Sequence, residues 1–254
     1  MNRADLRRRW YRALEPVPIA YCAWQRRFPG RHVVDRRTDL VVEGYPSAAN
    51  TFAREALEHA NRGIRIASHL HTVAHVRRAL HLGVPVVILL RPPVDSVVSV
   101  LARFPGQSSG VASELRDYVR FYRGVLALSG RVALACFEDT TTRLGGVTGA
   151  VNRQLGTSFA PFDDNDPEAQ RAVQARIDSW TEVVFGPGSE HHRAFPSVQR
   201  RAAASALRNE VRGPAHAALR AQAEALNSDL AAIARERFDR MRSDDERAVA
   251  ESAG

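Results

Sequence analysis

The sequence predicts an α/β protein of three layers, with a mostly parallel central sheet, a P-loop-like anion-binding loop and a set of helices added at the C-terminus. Three observations predict it. From residue 38 onward, short β-branched runs alternate with longer stretches of helical period. The run 84–90 (V-P-V-V-I-L-L) is apolar throughout, as a strand buried on both faces must be. Beyond Pro161 the strand-type runs stop while helical periodicity continues.

Taken in order, residues 39–45 (D-L-V-V-E-G-Y) read as the first strand and 51–61 as the helix after it, with a tight loop between them. Residues 64–67 form a brief strand, 72–81 a helix, 84–90 the central strand and 94–104 the next helix. The breaker cluster 105–110 (P-G-Q-S-S-G) makes a surface loop. A long helix at 112–129, a strand at 131–137 and a helix at 140–155, with Gly145 and Gly146 near its start, complete the alternation. Residues 167–183 and 196–241 read as helices, punctuated by Pro187, Pro196 and Pro214, with a polar frayed tail after Ser243. There is no internal repeat and no linker long enough to divide domains. The chain reads as one domain over 1–254: a basic segment at 1–37, an α/β core at 38–155 and a helical part at 156–254.

Composition narrows the function classes. With 254 residues, 44% of them hydrophobic, the chain buries enough surface to stand without a disulfide or metal staple. Cys22 and Cys136 have no metal-ligand or redox spacing, and read as buried thiols of a cytoplasmic protein. The longest apolar run, 84–90, is far short of the ~20 residues of a spanning helix. At the N-terminus Arg3, Arg7, Arg8 and Arg9 are followed by Glu15, Pro16 and Pro18, which interrupt any signal-type apolar core. All 36 basic residues are arginine, so mechanisms that depend on lysine are excluded. Ten of them against four acids in residues 1–40 leave +6 of the net +8 there. No aromatic-interleaved motif accompanies them, so a solvated helix face is preferred to a nucleic-acid surface.

Two segments carry chemistry. A strand, a tight turn and a helix aim backbone N–H groups at one point, which suits a phosphate or sulfate. Residues 44–51 (G-Y-P-S-A-A-N-T) overlay the nucleotide-triphosphate loop G-x-x-x-x-G-K-[ST], with Ala49 at the second glycine and Asn50 at the lysine. Without the lysine an ordinary kinase is disfavoured. Taken alone, the loop also reads as a plain turn capped by Asn50 or Thr51. The second segment is 91–99 (R-P-P-V-D-S-V-V-S), directly after the central strand: Arg91 stands at a strand C-terminus, with Asp95 and Ser99 one helical turn apart beyond it. Ligands of open α/β sheets bind at strand C-termini, so Arg91 is placed to grip an anion bidentately and Ser99 to donate a hydroxyl to it.

These residues resemble the sulfotransferases that use 3′-phosphoadenosine 5′-phosphosulfate (PAPS), as a divergent, bacterial-type member. That family reads Y-P-K-S-G-T-T-W after the first strand, T-H-L-P in between, R-x-P-x-D-x-x-x-S after a later strand and F-Y-E-D at a strand end. Here Y-P-S-A-A-N-T-F (45–52), S-H-L-H (68–71), R-P-P-V-D-S-V-V-S (91–99) and C-F-E-D (136–139) stand in the same order over roughly residues 38–155. The resemblance implies that Ser47, Ala48, Ala49, Asn50 and Thr51 cradle the 5′-phosphosulfate of PAPS. Phe52 and Phe137 would stand by the adenine, where the family has Trp and Tyr. Arg91 and Ser99 would hold the 3′-phosphate. His69 falls on the family's general base, ahead of His71 two residues on.

Ser47 stands where the family has its catalytic lysine, and Arg54 is the nearest cation to replace it. The family's C-terminal Arg/Lys-Gly motif has no clear counterpart; Arg200 and Arg201 are the candidates. No role is read for His191 and His192. The resemblance implies sulfuryl transfer to a hydroxyl or amine of a small-molecule or glycan acceptor, without a metal. The acceptor would be chosen by loop 105–111 and the C-terminal helices. Two other readings remain: a non-catalytic module of the same fold that binds PAPS or its product, and a divergent P-loop nucleotide kinase working with magnesium.

Overall fold

The computed structural model describes residues 13–28, 32–105, 110–186 and 198–252; the side chains of 198–202 and 241–252 lie outside that description. Arg3, Arg7, Arg8, Arg9, Pro187, His191, His192 and Pro196 fall outside the described residues, as do positions 106–109 of the loop at 105–111.

Among the described residues four strands, β1 (Leu40–Gly44), β2 (Ile66–Ser68), β3 (Val86–Leu90) and β4 (Ala133–Cys136), form one sheet in the order β2-β1-β3-β4. All three pairings are parallel. The helices are α1 (Pro18–Gln25), α2 (Asn50–Ala60), α3 (Val73–His81), α4 (Pro93–Arg103), α5 (Val111–Leu126), α6 (Phe137–Thr142), α7 (Leu144–Leu155), α8 (Pro167–Phe185), α9 (Val198–Arg212) and α10 (Ala217–Ser252).

Alternation along the strands makes two cores. Val41, Val86, Ile88 and Leu90 turn to one face and pack with α3, α4, α5 and α10. Leu40, Val42, Val87 and Leu89 turn to the other and pack with α2, α7 and α8. Every residue of β1 and β3 is buried, which accounts for their nearly unbroken apolar sequence. The three-layer α/β architecture with C-terminal helices read from the sequence is the one found.

Several boundaries differ from the expectation. β2 lies two residues later at its start, so that His69 follows it directly. β4 ends at Cys136 and Phe137 opens α6 instead of closing the strand. The helix expected over 140–155 is two helices with a break at Arg143. The Asp164 carboxylate causes the break by accepting the Leu144 and Gly145 N–H groups, each at 2.8 Å, and so starts a new helix there. Thr140, Thr141 and Thr142 bond back to carbonyls of the preceding turn, which weakens the end of α6. The C-terminal helical run divides at Pro214, and the backbone of α10 continues to Ser252 where fraying after Ser243 was expected. In the basic N-terminal segment, α1 buries Tyr21, Cys22 and Gln25 against α3. Both cysteines are free and buried, and burial pushes the Cys22 thiol up to about 11. No described helix is long and apolar enough to cross a membrane.

Candidate functional site

The chain leaves β1 toward β2 on one side and leaves β3 toward β4 on the other, so the crevice between the C-terminal ends of β1 and β3 is the switch point of the sheet. The loop 45–49 and Arg91 both emerge there.

The loop is fixed by what surrounds it. A Cβ on Gly44 would lie 2.7 Å from the Leu89 carbonyl oxygen, so only glycine lets β1 pass β3 this closely. The Tyr122 hydroxyl donates to Leu89 O at 2.7 Å and accepts the Tyr45 N–H at 3.2 Å, fastening the two strand ends together. The Tyr45 hydroxyl donates to Glu114 Oε2 at 2.5 Å. Within the loop, the Ala48 N–H and Asn50 Nδ2 both donate to Tyr45 O. Ser47 and Ala49 take left-handed backbone angles, φ 69° and 70°. Ala49 is the N-cap of α2 and has no side chain to cap it, so first-turn N–H groups are left for an anion. Ser47 Oγ and Asn50 Oδ1 are buried without a hydrogen-bond partner. The serine hydroxyl is a donor and suits an anion; the amide oxygen is an acceptor and asks for an N–H or O–H.

Arg91 closes the other side. Its Nη1 donates to the Ser47 carbonyl oxygen at 2.7 Å, and its guanidinium lies 4.2 Å from the Phe137 ring centroid. Tyr118 Oη holds the Arg91 carbonyl at 2.8 Å. Burial draws the Arg91 pKa down and the carboxylates of Asp95 and Glu138 draw it back up; Arg208 adds a like charge nearby. One N–H of the fork is spent on the loop, which leaves other donors of the guanidinium beside it. Asp95 is taken by Arg208 of α9 at 2.7 Å, and Ser99 stands one turn along the same helix. Arg91 therefore meets both Ser47 and Phe137, and Ser99 follows in the second turn of α4.

Thr51 faces a second group. Thr51 Oγ1 and His69 Nε2 are 3.0 Å apart, and Ser68 Oγ and His69 Nδ1 are 2.6 Å apart, so both ring nitrogens have hydroxyl partners. The imidazole lies tilted on Trp180 of α8, with centroids 5.2 Å apart, and edge-on to His71 at 5.8 Å. Burial pushes the His69 pKa well below its ordinary value, and the charges of His71, Arg54, His32 and Arg103 push the same way, which keeps the ring neutral near pH 7. His71 Nδ1 donates to the Gly44 carbonyl at 2.7 Å. Phe52 pairs edge-to-face with Phe162 at 6.2 Å and so joins the α7–α8 side of the site.

Arg54 follows Thr51 by one turn. Its guanidinium pairs with Glu55, lies 3.7 Å from Glu58 and sits 5.7 Å from the Trp180 ring, which neutralises it on the α2–α8 face. Its Nε and Nη1 are buried without hydrogen-bond partners. Arg200 and Arg201 belong to α9 with side chains outside the described residues.

Three participants escaped the sequence reading: Arg208, Trp180 and Glu43. Only Glu43 left a signal, a carboxylate inside an otherwise apolar strand. Among the described residues no group of three or more His, Cys, Asp or Glu side chains is arranged to hold a metal ion.

No protein-family model matches this chain, and no curated protein matches it. Among solved structures, a mouse sulfotransferase complexed with PAP is similar, with a TM-score of 0.41 and 13% identity over 74% of this chain and 89% of that one.

Proposed function

We propose that the protein is a sulfotransferase that moves a sulfuryl group from PAPS to a hydroxyl or amine of a small-molecule or glycan acceptor. The observation that carries the reading is the two-sided anion site at the β1–β3 crevice. It combines an uncapped α2 N-terminus behind left-handed Ser47 and Ala49 with an arginine fork bonded to the loop it faces. Ser47 through Thr51 cradle the 5′-phosphosulfate, with the buried Ser47 hydroxyl as a donor. Arg91 and Ser99 take the 3′-phosphate, with Arg208 beside them, and Phe52 and Phe137 flank the base.

When the donor draws Thr51 Oγ1 toward its sulfuryl oxygens, His69 Nε2 exchanges that hydroxyl for the acceptor's. The acceptor oxygen or nitrogen then bonds to sulfur as the bond from sulfur to the bridging phosphate oxygen breaks. His69 takes the proton, and 3′-phosphoadenosine 5′-phosphate leaves with the electron pair. No lysine meets the leaving oxygen, so its charge is met by main-chain N–H dipoles. A neutral imidazole suits the base, because a protonated ring could not accept the proton.

The competing reading, a binding module without turnover, is favoured by Ser47 at the lysine position and by the neutralisation of Arg54. Calorimetric titration with 3′-phosphoadenosine 5′-phosphate and, separately, with ATP and magnesium is the first test. Tight binding of the former alone is expected, and a preference for ATP would return the kinase reading. Sulfuryl transfer from labelled PAPS to a panel of hydroxyl and amine acceptors then separates enzyme from module. His69→Ala is expected to lower turnover by about 10²- to 10⁴-fold at unchanged nucleotide affinity, with His71→Ala changing it far less.

A further inference from the structure

Glu43 is the penultimate residue of β1 and is wholly buried. A carboxylate withdrawn from water is costly unless donors surround it, and here three do. Oε1 accepts the Leu70 N–H at 2.9 Å and His75 Nδ1 at 2.7 Å; Oε2 accepts the His71 N–H at 3.0 Å. His75 is itself wholly buried, and its Nε2 accepts the Val34 N–H at 2.9 Å, which fixes the tautomer with the proton on Nδ1. Burial raises the Glu43 pKa, but the hydrogen bonds from His75 and from the Leu70 N–H help to outweigh it, and the carboxyl is held below its ordinary value.

What this carboxylate holds is a segment that would not hold itself. His69 and His71 have φ of 66° and 51°, and these two with Ser47 and Ala49 are the non-glycine residues with positive φ among those described. Side-chain-bearing residues persist in that region only where the surroundings over-determine them. The two N–H groups of the Leu70–His71 pair, which lie between and within the left-handed residues, are the ones Glu43 receives. We propose that Glu43 is a positioning residue: a buried carboxylate that fixes the His69–Leu70–His71 turn, and with it the aim of the His69 imidazole at Thr51, without touching either substrate. Its catalytic consequence rests on the sulfotransferase reading; its structural consequence does not.

The test uses the full chain and Glu43→Gln. The amide replaces one acceptor oxygen with a donor that confronts a main-chain N–H, so the turn loses one of its two anchoring bonds while side-chain size is kept. Imidazole titration by NMR reads the turn directly. His69 is surrounded by Ser68, Thr51, Trp180, His71, Arg54, His32 and Arg103, and in the native chain it stays neutral well below its ordinary pKa. In Glu43→Gln its titration is expected to rise toward the ordinary value of about 6.5. Affinity for 3′-phosphoadenosine 5′-phosphate is expected to stay within about twofold, while turnover falls by roughly 10- to 100-fold, as for a misplaced catalytic group. Unchanged His69 titration in the folded variant overturns the proposal.

Loss of turnover in His69→Ala but not in Glu43→Gln overturns the positioning role and leaves the base in place. If native protein binds the nucleotide but transfers nothing, the sulfotransferase reading fails and the NMR result still decides the role of Glu43. Should Glu43→Gln not fold, amide hydrogen exchange in the native chain decides: Leu70 and His71 are expected to be protected like the interior of β1, and rapid exchange at both refutes the anchor.

Discussion

Replacing Arg91 with alanine separates a nucleotide grip from a structural tie, because the side chain does both. Its Nη1 donates to the Ser47 carbonyl at 2.7 Å and its guanidinium stacks 4.2 Å from the Phe137 centroid. A charge-assisted hydrogen bond contributes about 1.5–3 kcal/mol where it is desolvated, and a half-buried cation–π contact about 0.5–1 kcal/mol. Water replaces part of the first in the variant, so a net loss of about 1–2 kcal/mol is expected, or roughly 2–8 °C in Tm for a chain of this size. On the proposed reading, the remaining donors of the fork are the ones offered to the 3′-phosphate. Losing them weakens 3′-phosphoadenosine 5′-phosphate by about 10- to 150-fold.

Calorimetry against the same nucleotide without its 3′-phosphate is the control: Arg91→Ala should narrow the affinity gap between the two ligands by most of its width, leaving the smaller share of Ser99 and Arg208. Arg91→Lys keeps the charge but not the fork, and should recover only part of the gap. An unchanged gap refutes the placement of the 3′-phosphate. An equal loss for both nucleotides shows that Arg91 acts by holding the loop alone.

Arg208→Ala should also narrow that gap, but only by about two- to fivefold, because the side chain is 38% exposed and already shared with Asp95. Ala49→Gly relieves a left-handed residue at the N-cap of α2, worth about 1–2 kcal/mol, against a gain of chain entropy in the unfolded state of about 0.4–1 kcal/mol. A rise in Tm of about 1–4 °C is expected, and a fall would show that the Cβ of Ala49 makes contacts that outweigh its backbone. The depressed pKa of His69 makes stability pH-dependent: below its ordinary value of about 6.5 the unfolded chain binds a proton that the folded chain refuses, so stability falls with pH there. His69→Asn should flatten Tm between pH 7 and 5, and an unaltered slope would place the titration elsewhere.

How much of this was legible in the sequence follows from how local each signal is. β3 was plain because a strand buried on both faces must be apolar at every position, and the loop after β1 and Arg91 after β3 were legible as segments at neighbouring strand ends, which the structure brings into contact. The division at Arg143 was not legible, since the cap that makes it comes from Asp164, some 20 residues on. Arg208 and Trp180 lie on helices that carry no motif, and in a chain whose cations are all arginine one more is no signal. Glu43 is the intermediate case. Its charge in an apolar strand was visible, but its partners stand 27 to 32 residues away, so sequence shows that something must receive it without showing what.

The same geometry bears on how a loop without lysine is kept in shape. Lysine in such a loop would meet the donor's phosphates as a point charge; Ser47 cannot, and its left-handed backbone has no side-chain support of its own. What supports it is Arg91, through the Ser47 carbonyl, and that arginine is the other half of the proposed anion site. On the proposed reading, a ligand that draws the remaining donors of Arg91 toward a 3′-phosphate also fixes the carbonyl of the loop that would receive the 5′ end. On that reading, binding at one end preorganises the other, and part of the ordering that a charged side chain would impose is supplied by the ligand itself. A nucleotide lacking the 3′-phosphate forfeits both the direct contact and that ordering, which is why the affinity gap between the two nucleotides reads the coupling more sharply than either affinity alone.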